Sequence, residues 1–415
     1  MLQIAFETHT LSNGLKIIVH EDHSVPKVVV DILYKVGSKD ENPDLTGFAH
    51  LFEHLMFEGS KNIPSYDTPL QRVGGQNNAF TTPDITNYYL TVPANQLETA
   101  FWLESDRMLE LAFSQEKLDI QKSVVIEEYK QRYLNQPYGD AHLKLRAIHY
   151  TEHPYRWPTI GKDISHIENA TLINVKDFFY HFYAPNNATM VVAGAVKPEE
   201  VYRLAEKWFG EIPRRELGKK TLPVEPAQNQ PKHLQVEGKV PFPAVYKMFH
   251  MPAQSDPDYY VADILTDLLS NGKSGILYQR MVREKQIASQ ASSFTWGLHH
   301  PGIISIDGKI AEGHGMEEYE NALEEVLEEV SQVSEEELER MKKKLSASFI
   351  MQKAYLLNKA MALAMYDSLG EVDLINQTPA IYEAITLDQV QEAAKKYFHK
   401  NNCSTLYYLP ENRAN

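Results

Sequence analysis

The sequence predicts an α+β protein of two homologous domains, each a mainly antiparallel β-sheet covered by helices. At 415 residues the chain is longer than one hydrophobic core ordinarily organises, which points to two domains or more. Runs of β-branched and aromatic residues alternate with helix-period segments, at 28–34, 86–92 and 189–193 in the first half and at 244–249, 302–310 and 404–408 in the second. One block also recurs. Thr171-Leu172, Val175, Phe182-Tyr183 and Asn186-Asn187-Ala188-Thr189 return 215 residues later as Thr386-Leu387, Val390, Tyr397-Phe398 and Asn401-Asn402-Cys403-Ser404. Each copy reads as helix, turn and strand, which implies two related halves. They are placed at 1–215 and 241–415 with a linker at 216–240, because the stretch 213–239 crowds Pro, Lys, Gln and Glu together without apolar periodicity.

Along the first half, the strand at 28–34 is followed by Leu45-Thr46-Gly47-Phe48-Ala49 and Leu55-Met56-Phe57-Glu58-Gly59, apolar on a helical period and ending in a glycine stop. Between them lies His50-Leu51-Phe52-Glu53-His54. Residues four apart on a helix lie one above the other, so the two imidazoles converge as a bidentate metal clip. Glu53, next to the second histidine, can reach a water at the metal without competing for the metal itself. The order H-x-x-E-H is the inverzincin signature. On a largely buried helix, imidazoles are costly to desolvate unless something binds them.

Catalytic zinc takes three protein ligands and keeps one position open, so a third ligand has to come from elsewhere. The segment 114–133 reads as a helix, with Ser114 as N-cap and apolar residues at Leu118, Val124, Val125 and Ile126. It carries Glu127-Glu128, a pair that can place one carboxylate on the metal and the other behind it. Periodicity does not say which of the two binds. Residues 74–81 read as a loop entering a strand.

A net charge of −15 disfavours nucleic acid and anionic membrane as partners and is compatible with a basic peptide. The glutamate runs at 317–318, 324–325, 328–329 and 335–337 read as solvated helix faces. No apolar run approaches the roughly 18 residues of a membrane span. With a single cysteine, Cys403, there is no intramolecular disulfide. The first residues, Met1-Leu2-Gln3-Ile4-Ala5-Phe6-Glu7, lack the basic start and apolar core of a signal peptide, which places the chain in the cytoplasm; a periplasmic protein trimmed of its leader reads the same. His20, His23, His299 and His300 have no ligand partner at a recognisable spacing and read as surface or packing residues.

Taken together, Ser12-Asn13-Gly14-Leu15, the strand at 28–37, the stretch from Thr46 through the histidine motif to Phe57, Asn78-Ala79-Phe80-Thr81, His153-Pro154-Tyr155, Pro158-Thr159-Ile160-Gly161 and Tyr183-Ala184-Pro185-Asn186-Asn187 resemble the pitrilysin/insulinase family of zinc metallopeptidases, which includes the mitochondrial processing peptidases. The resemblance covers nearly the whole chain. It implies a fold of the processing-peptidase type, one zinc per chain, and an endopeptidase acting on extended or unfolded peptides inside a dimeric chamber. Aligned on the family's pattern, the third ligand falls on Glu128, beside His50 and His54, with Glu53 as general base. The family places a second acidic residue two turns before the ligand glutamate. Gln121 stands there, expected with Glu127 behind the ligands and contributing less negative potential to hold the metal. The strand carrying Asn78, Ala79 and Phe80 is implied to be an exposed edge that captures an extended peptide by main-chain hydrogen bonds, Asn78 helping to orient its backbone.

In the second half, Asp263 and Asp267 fall near the positions of the two histidines, so that copy has no zinc clip. The family completes its site there with an arginine and, seven residues on, a tyrosine that grip the substrate and the oxyanion. Arg283 matches the arginine; Gln290 stands where the tyrosine is expected. Loss of one positioned oxyanion donor commonly lowers rate by about 10² to 10³. Two expectations follow: a zinc-bearing subunit paired with a paralogue that supplies the arginine and tyrosine, or a homodimer with weaker oxyanion support. The alternative of a different class is a noncatalytic scaffold or peptide-binding subunit of the same fold; such members tend to lose the zinc motif, which this chain keeps.

Overall fold

The computed structural model describes residues 3–217 and 221–411; Met1-Leu2 and positions 218–220 of the expected linker lie outside the described residues. Two sheets form. The first contains β1 (Glu7–Thr10), β2 (Lys16–Glu21), β3 (Lys27–Tyr34), β4 (Gln76–Thr81), β5 (Thr86–Pro93) and β6 (Ala188–Gly194), in the order β1-β2-β6-β3-β5-β4. The second contains β7 (Lys232–Gly238), β8 (Ala244–His250), β9 (Ala288–Trp296), β10 (Ile303–Ile310) and β11 (Cys403–Pro410), in the order β7-β11-β8-β10-β9. Neighbours are antiparallel except for β2 with β6 and β7 with β11. Matching β2-β6-β3-β5-β4 to β7-β11-β8-β10-β9 preserves every neighbour, so the repeat in the sequence is a repeat of topology.

The recurring residues are helix start and stop signals. Thr171 and Thr386 open the helices Leu172–Phe182 and Leu387–Tyr397 with capping boxes completed by Asn174 and Gln389. At the far ends, Asn187 Nδ2 donates to the Phe182 carbonyl at 2.8 Å, and Asn402 Nδ2 to the Tyr397 carbonyl at 2.9 Å. The same orphan backbone groups are therefore satisfied by the same side chains in both copies.

Five helices position the site and cover the sheets: α1 (Phe48–Leu55), α2 (Gln115–Tyr129), α3 (Ala141–His149), α4 (Pro257–Ser270) and α5 (Leu356–Ser368). The compact units cross the chain's midpoint. One gathers residues 1–129, 157–222 and 349–377, the other 130–156, 223–348 and 378–415. Each half thus gives a helix to the other's unit. In the second unit, Ala141 and Leu145 of α3 pack with Met248, Ile303 and Leu406. In the first, Leu363 and Ala364 of α5 pack with Val29, Leu33 and Val191. The exchanged helices are repeat equivalents, Leu356 lying 215 residues after Ala141. A sheet with two apolar faces must bury both, and apolar periodicity does not encode which half supplies the cover.

Two local readings differ from expectation. The stretch taken for linker contains β7, an edge strand paired in parallel with β11; its alternation of exposed and part-buried positions rests on Leu234 and Val236 alone, too little apolar character to show as a period. The helix expected over 114–133 is α-helical to Tyr129 and continues as a π-helical turn, Lys130–Leu134.

In the second unit, His149 and His250 stack with ring centroids 3.7 Å and planes 20° apart. The Nδ1 of His149 meets Ser404 Oγ at 3.1 Å, and Lys232 Nζ donates to the His149 carbonyl at 2.9 Å. Burial holds His149 well below the ordinary imidazole range, with the charges of Lys232 and Arg146 acting in the same direction, and it lowers His250 to about 4. Both rings are therefore neutral in the fold and take up protons on unfolding. The stability they confer is complete above the unfolded value of about 6.5 and is lost as pH falls toward 4. In chelator-treated protein, stability should drop between pH 7 and pH 4.5, and His250→Phe should lose less over that window by on the order of 2 kcal/mol. Equal losses in thermal melts of the two proteins contradict this.

Candidate metal centre

Helix α1 begins where it does because of Gly47 and Glu41. Gly47 adopts φ 92°, and a Cβ there would lie 2.7 Å from the Ile160 carbonyl oxygen. The buried Glu41 carboxyl caps the helix, accepting from Gly47 N at 3.0 Å and from Ala49 N at 2.8 Å. Burial pushes Glu41 up to about 8 in spite of these donors. Phe48, Ala49, Leu51, Phe52 and Leu55 form the buried face of α1, with Phe52 against Phe178 and Tyr183 at centroid distances of 5.4 and 4.8 Å. The motif's His50, Glu53 and His54 are left half-buried.

Helix α2 supplies the facing surface. Ser114 Oγ accepts from Lys117 N at 3.2 Å, the N-cap expected from the sequence. Leu118 and Val125 are its buried positions, and Gln121 and Glu128 lie on the same stripe at helical spacing. Glu128 Oε2 stands 3.5 Å from the Nε2 of His50 and 3.5 Å from the Nε2 of His54. Four ligands held at roughly 2.1 Å from one ion stand about 3.4 Å apart. The spacing is thus that of donors arranged around a common cation. Among the described residues, this is the one group of three or more His, Cys, Asp or Glu side chains spaced to hold an ion. Two imidazoles and a carboxylate, the imidazoles one helical turn apart, suit zinc. Glu127, one position earlier and so about 100° round the helix, is exposed and outside the trio.

Gln121 lies behind His54, as a residue supporting the ligands. Its Oε1 lies 3.2 Å from His54 Nδ1, and its Nε2 donates to the Glu58 carboxylate. This arrangement puts the proton of His54 on Nδ1 and leaves the Nε2 lone pair toward Glu128. Glu53 Oε2 accepts a hydrogen bond from Thr81 Oγ1 at 2.6 Å, which ties the motif glutamate to the end of β4. Thr81, Glu58 and Glu41 are site residues that the sequence does not mark, because a lone threonine or glutamate carries no spacing signal.

Strand β4 is the terminal strand of its sheet, paired with β5. Strand alternation sends Ala79 and Thr81 to the α1 side and Asn78 and Phe80 to the other. Asn78 is exposed, with its Oδ1 accepting from Ala79 N at 2.8 Å. Phe80 packs against the core cluster that includes Val29, Leu33 and Leu363. What β4 presents toward the motif is thus the Ala79 and Thr81 face and its main chain. In the second unit, Asp263 of α4 accepts from Thr295 Oγ1 at 2.8 Å and from Tyr382 OH at 2.5 Å. Asp267 is raised to about 6 by burial and by the charge of Asp263. Arg283 is the penultimate residue of the π-helical segment Tyr278–Glu284 and donates to Gln279 Oε1 at 3.1 Å. Gln290 is exposed on β9, the terminal strand of the second sheet, opposite Lys309.

Residues 16–162 match the family model described as Insulinase (Peptidase family M16), and residues 169–345 match the one described as Peptidase M16 inactive domain. The latter span includes α4, which carries Asp263 and Asp267. The chain is 29% identical to the zinc protease PqqE of Helicobacter pylori, over 97% of this chain and 93% of that protein. It is 26% identical to the mitochondrial-processing peptidase subunit beta of Saccharomyces cerevisiae, over 61% of this chain and 56% of that protein. The crystal structure of a protease from Helicobacter pylori is similar with a TM-score of 0.92 at 28% identity, covering 98% of this chain and 100% of that one. Among the described residues, no helix is long and apolar enough to cross a membrane.

The geometry separates the two adjacent glutamates. Glu128→Gln should lose its metal under mild chelation while Glu127→Gln retains it, as read by metal content of the two variants side by side. The reverse order would displace Glu128 from the trio.

Proposed function

The chain belongs to peptidase family M16, the insulinase family, and from that premise we propose that it is a zinc-dependent endopeptidase of extended or unfolded peptides. The observation that carries this reading is the trio of His50, His54 and Glu128 with its 3.5 Å spacings, beside a Glu53 held by Thr81. His50 Nε2, His54 Nε2 and a Glu128 oxygen would hold the zinc. When bound, the ion would supply Lewis acidity for a peptide carbonyl and for water. Thr81 fixes the plane of the Glu53 carboxylate, so that Glu53 takes a proton from the attacking water and passes it to the leaving amine.

A peptide adding to the terminal strand β4 is held through main-chain hydrogen bonds, which give affinity with little demand on its sequence. The β4 residues Asn78, Ala79 and Phe80 act through their backbone, with Phe80 anchoring the strand in the core. Arg283 grips substrate, and Gln290 offers an amide where an oxyanion donor is needed. On this reading the chain works as the zinc-bearing member of a pair whose paralogous partner supplies an arginine and a tyrosine; a homodimer is the other arrangement. A noncatalytic scaffold of the same fold has no use for the trio, which favours the peptidase.

Glu53→Gln should retain zinc and lose hydrolysis of an unstructured peptide by on the order of 10³ or more. Turnover at the wild-type rate would remove Glu53 from the base's role, and a wild type inert to every unstructured peptide while loaded with zinc would support the scaffold. For the divided site, the isolated chain should cleave slowly, and mixing with a paralogue bearing the arginine and tyrosine should raise the rate about tenfold or more. If the isolated chain already matches the mixture and Gln290→Tyr changes nothing, the homodimer replaces the pair.

A further inference from the structure

We infer that Glu58 is a positioning residue of the metal site, acting at one remove: through Gln121 it fixes the proton of His54. The inference rests on the zinc reading above.

His50, His54 and Glu58 form one row. Although α1 ends at Leu55, Phe57 N donates to the His54 carbonyl and Glu58 N to the Leu55 carbonyl, each at 3.1 Å, so one further tight turn keeps Glu58 on the face of His54. Gly59 then turns the chain away at φ 99°, where a Cβ would lie 2.5 Å from the Pro64 carbonyl oxygen. The contacts on α2 come in the reverse order, Glu128 with both histidines and Gln121 with His54 and Glu58. The two helices therefore run in opposite senses. Lys117, one turn before Gln121, donates from Nζ to the Glu58 main-chain oxygen at 2.6 Å and anchors that residue's backbone.

An amide set between an imidazole N–H and a carboxylate has one satisfying orientation. Turned over, its NH₂ would face the imidazole N–H and its carbonyl would face the carboxylate. Glu58 thus orients Gln121; Gln121 holds the His54 proton on Nδ1, and the Nε2 lone pair is kept for the ion. Without Glu58 the amide can rotate, and His54 can carry its proton on Nε2, where it blocks coordination. Groups at this remove typically change metal affinity by about 10- to 100-fold.

The test is a double-mutant cycle on zinc affinity, measured by chelator competition with Glu58→Ala, Gln121→Ala and the pair. Glu58→Ala should weaken zinc about tenfold in the wild-type background and less than about twofold once Gln121 is alanine, because its effect passes through the amide. Glu58→Gln, which keeps an acceptor for Gln121, should recover part of the affinity. In zinc-free protein with ¹⁵N-labelled histidine, the His54 signal should report the Nδ1–H tautomer in the wild type and a mixture in Glu58→Ala. Equal losses from Glu58→Ala in both backgrounds, or no loss in a wild type that binds zinc, overturn the relay. A wild type that binds no zinc overturns the metal site itself.

Discussion

The site depends on a row of polar side chains on a packed helix being matched from a second helix. The apolar face of α1 is committed to the core through Phe48, Leu51, Phe52 and Leu55, which directs His50, His54 and Glu58 toward α2. Polar groups withdrawn from water cost several kcal/mol unless they find partners. Glu128 and Gln121, two turns apart on α2, meet that demand: one converges on the two imidazoles, the other lies between His54 and Glu58. Glu41 and Gly47 set where α1 begins, and Thr81 sets where its glutamate points. The spacing of the trio is thus a consequence of how two helices are capped and packed.

The duplication shows which parts of this arrangement the fold needs for itself. In both units a threonine on the terminal strand bonds an acid on the helix that follows the central strand: Thr81 with Glu53, and Thr295 with Asp263. The link between edge strand and helix is retained where no ligand trio exists among the described residues. Only in the first copy do two imidazoles on this helix face a glutamate on α2. The exchange of α3 and α5 between halves belongs to the fold in the same sense, since each packs against residues of the sheet in the other half.

Much of this was legible in the residues. The histidine motif announces itself because helical spacing alone brings its imidazoles together, and the recurring Thr and Asn proved to be the two ends of one duplicated helix. The six expected strands are β-branched or aromatic, and all six are strands. Of the strands not expected, β1 and β2 were passed over although β2 reads Lys-Ile-Ile-Val-His-Glu and lies inside its sheet, whereas β7 and β9 share a cause. β9 reads Ala-Ser-Gln-Ala-Ser-Ser-Phe-Thr-Trp, small and polar until its end, and β7 has two apolar residues; both are edge strands, specified by their neighbours more than by propensity. Glu58 and Gln121 lie 63 positions apart in sequence, and their pairing exists because α1 and α2 run in opposite senses. The exchange of helices was likewise invisible, since an amphipathic helix states that it must be covered but not by which sheet.

On the proposed reading, two imidazoles and one carboxylate, placed by helix packing, hold a single zinc ion. A crystal of zinc-loaded protein measured on both sides of the zinc absorption edge tests this most directly. One anomalous peak per chain is expected, at about 2.0–2.2 Å from His50 Nε2, His54 Nε2 and a Glu128 oxygen, with Glu53 and Glu127 outside bonding range. A peak on other side chains, or none at this trio in protein carrying stoichiometric zinc, would contradict it.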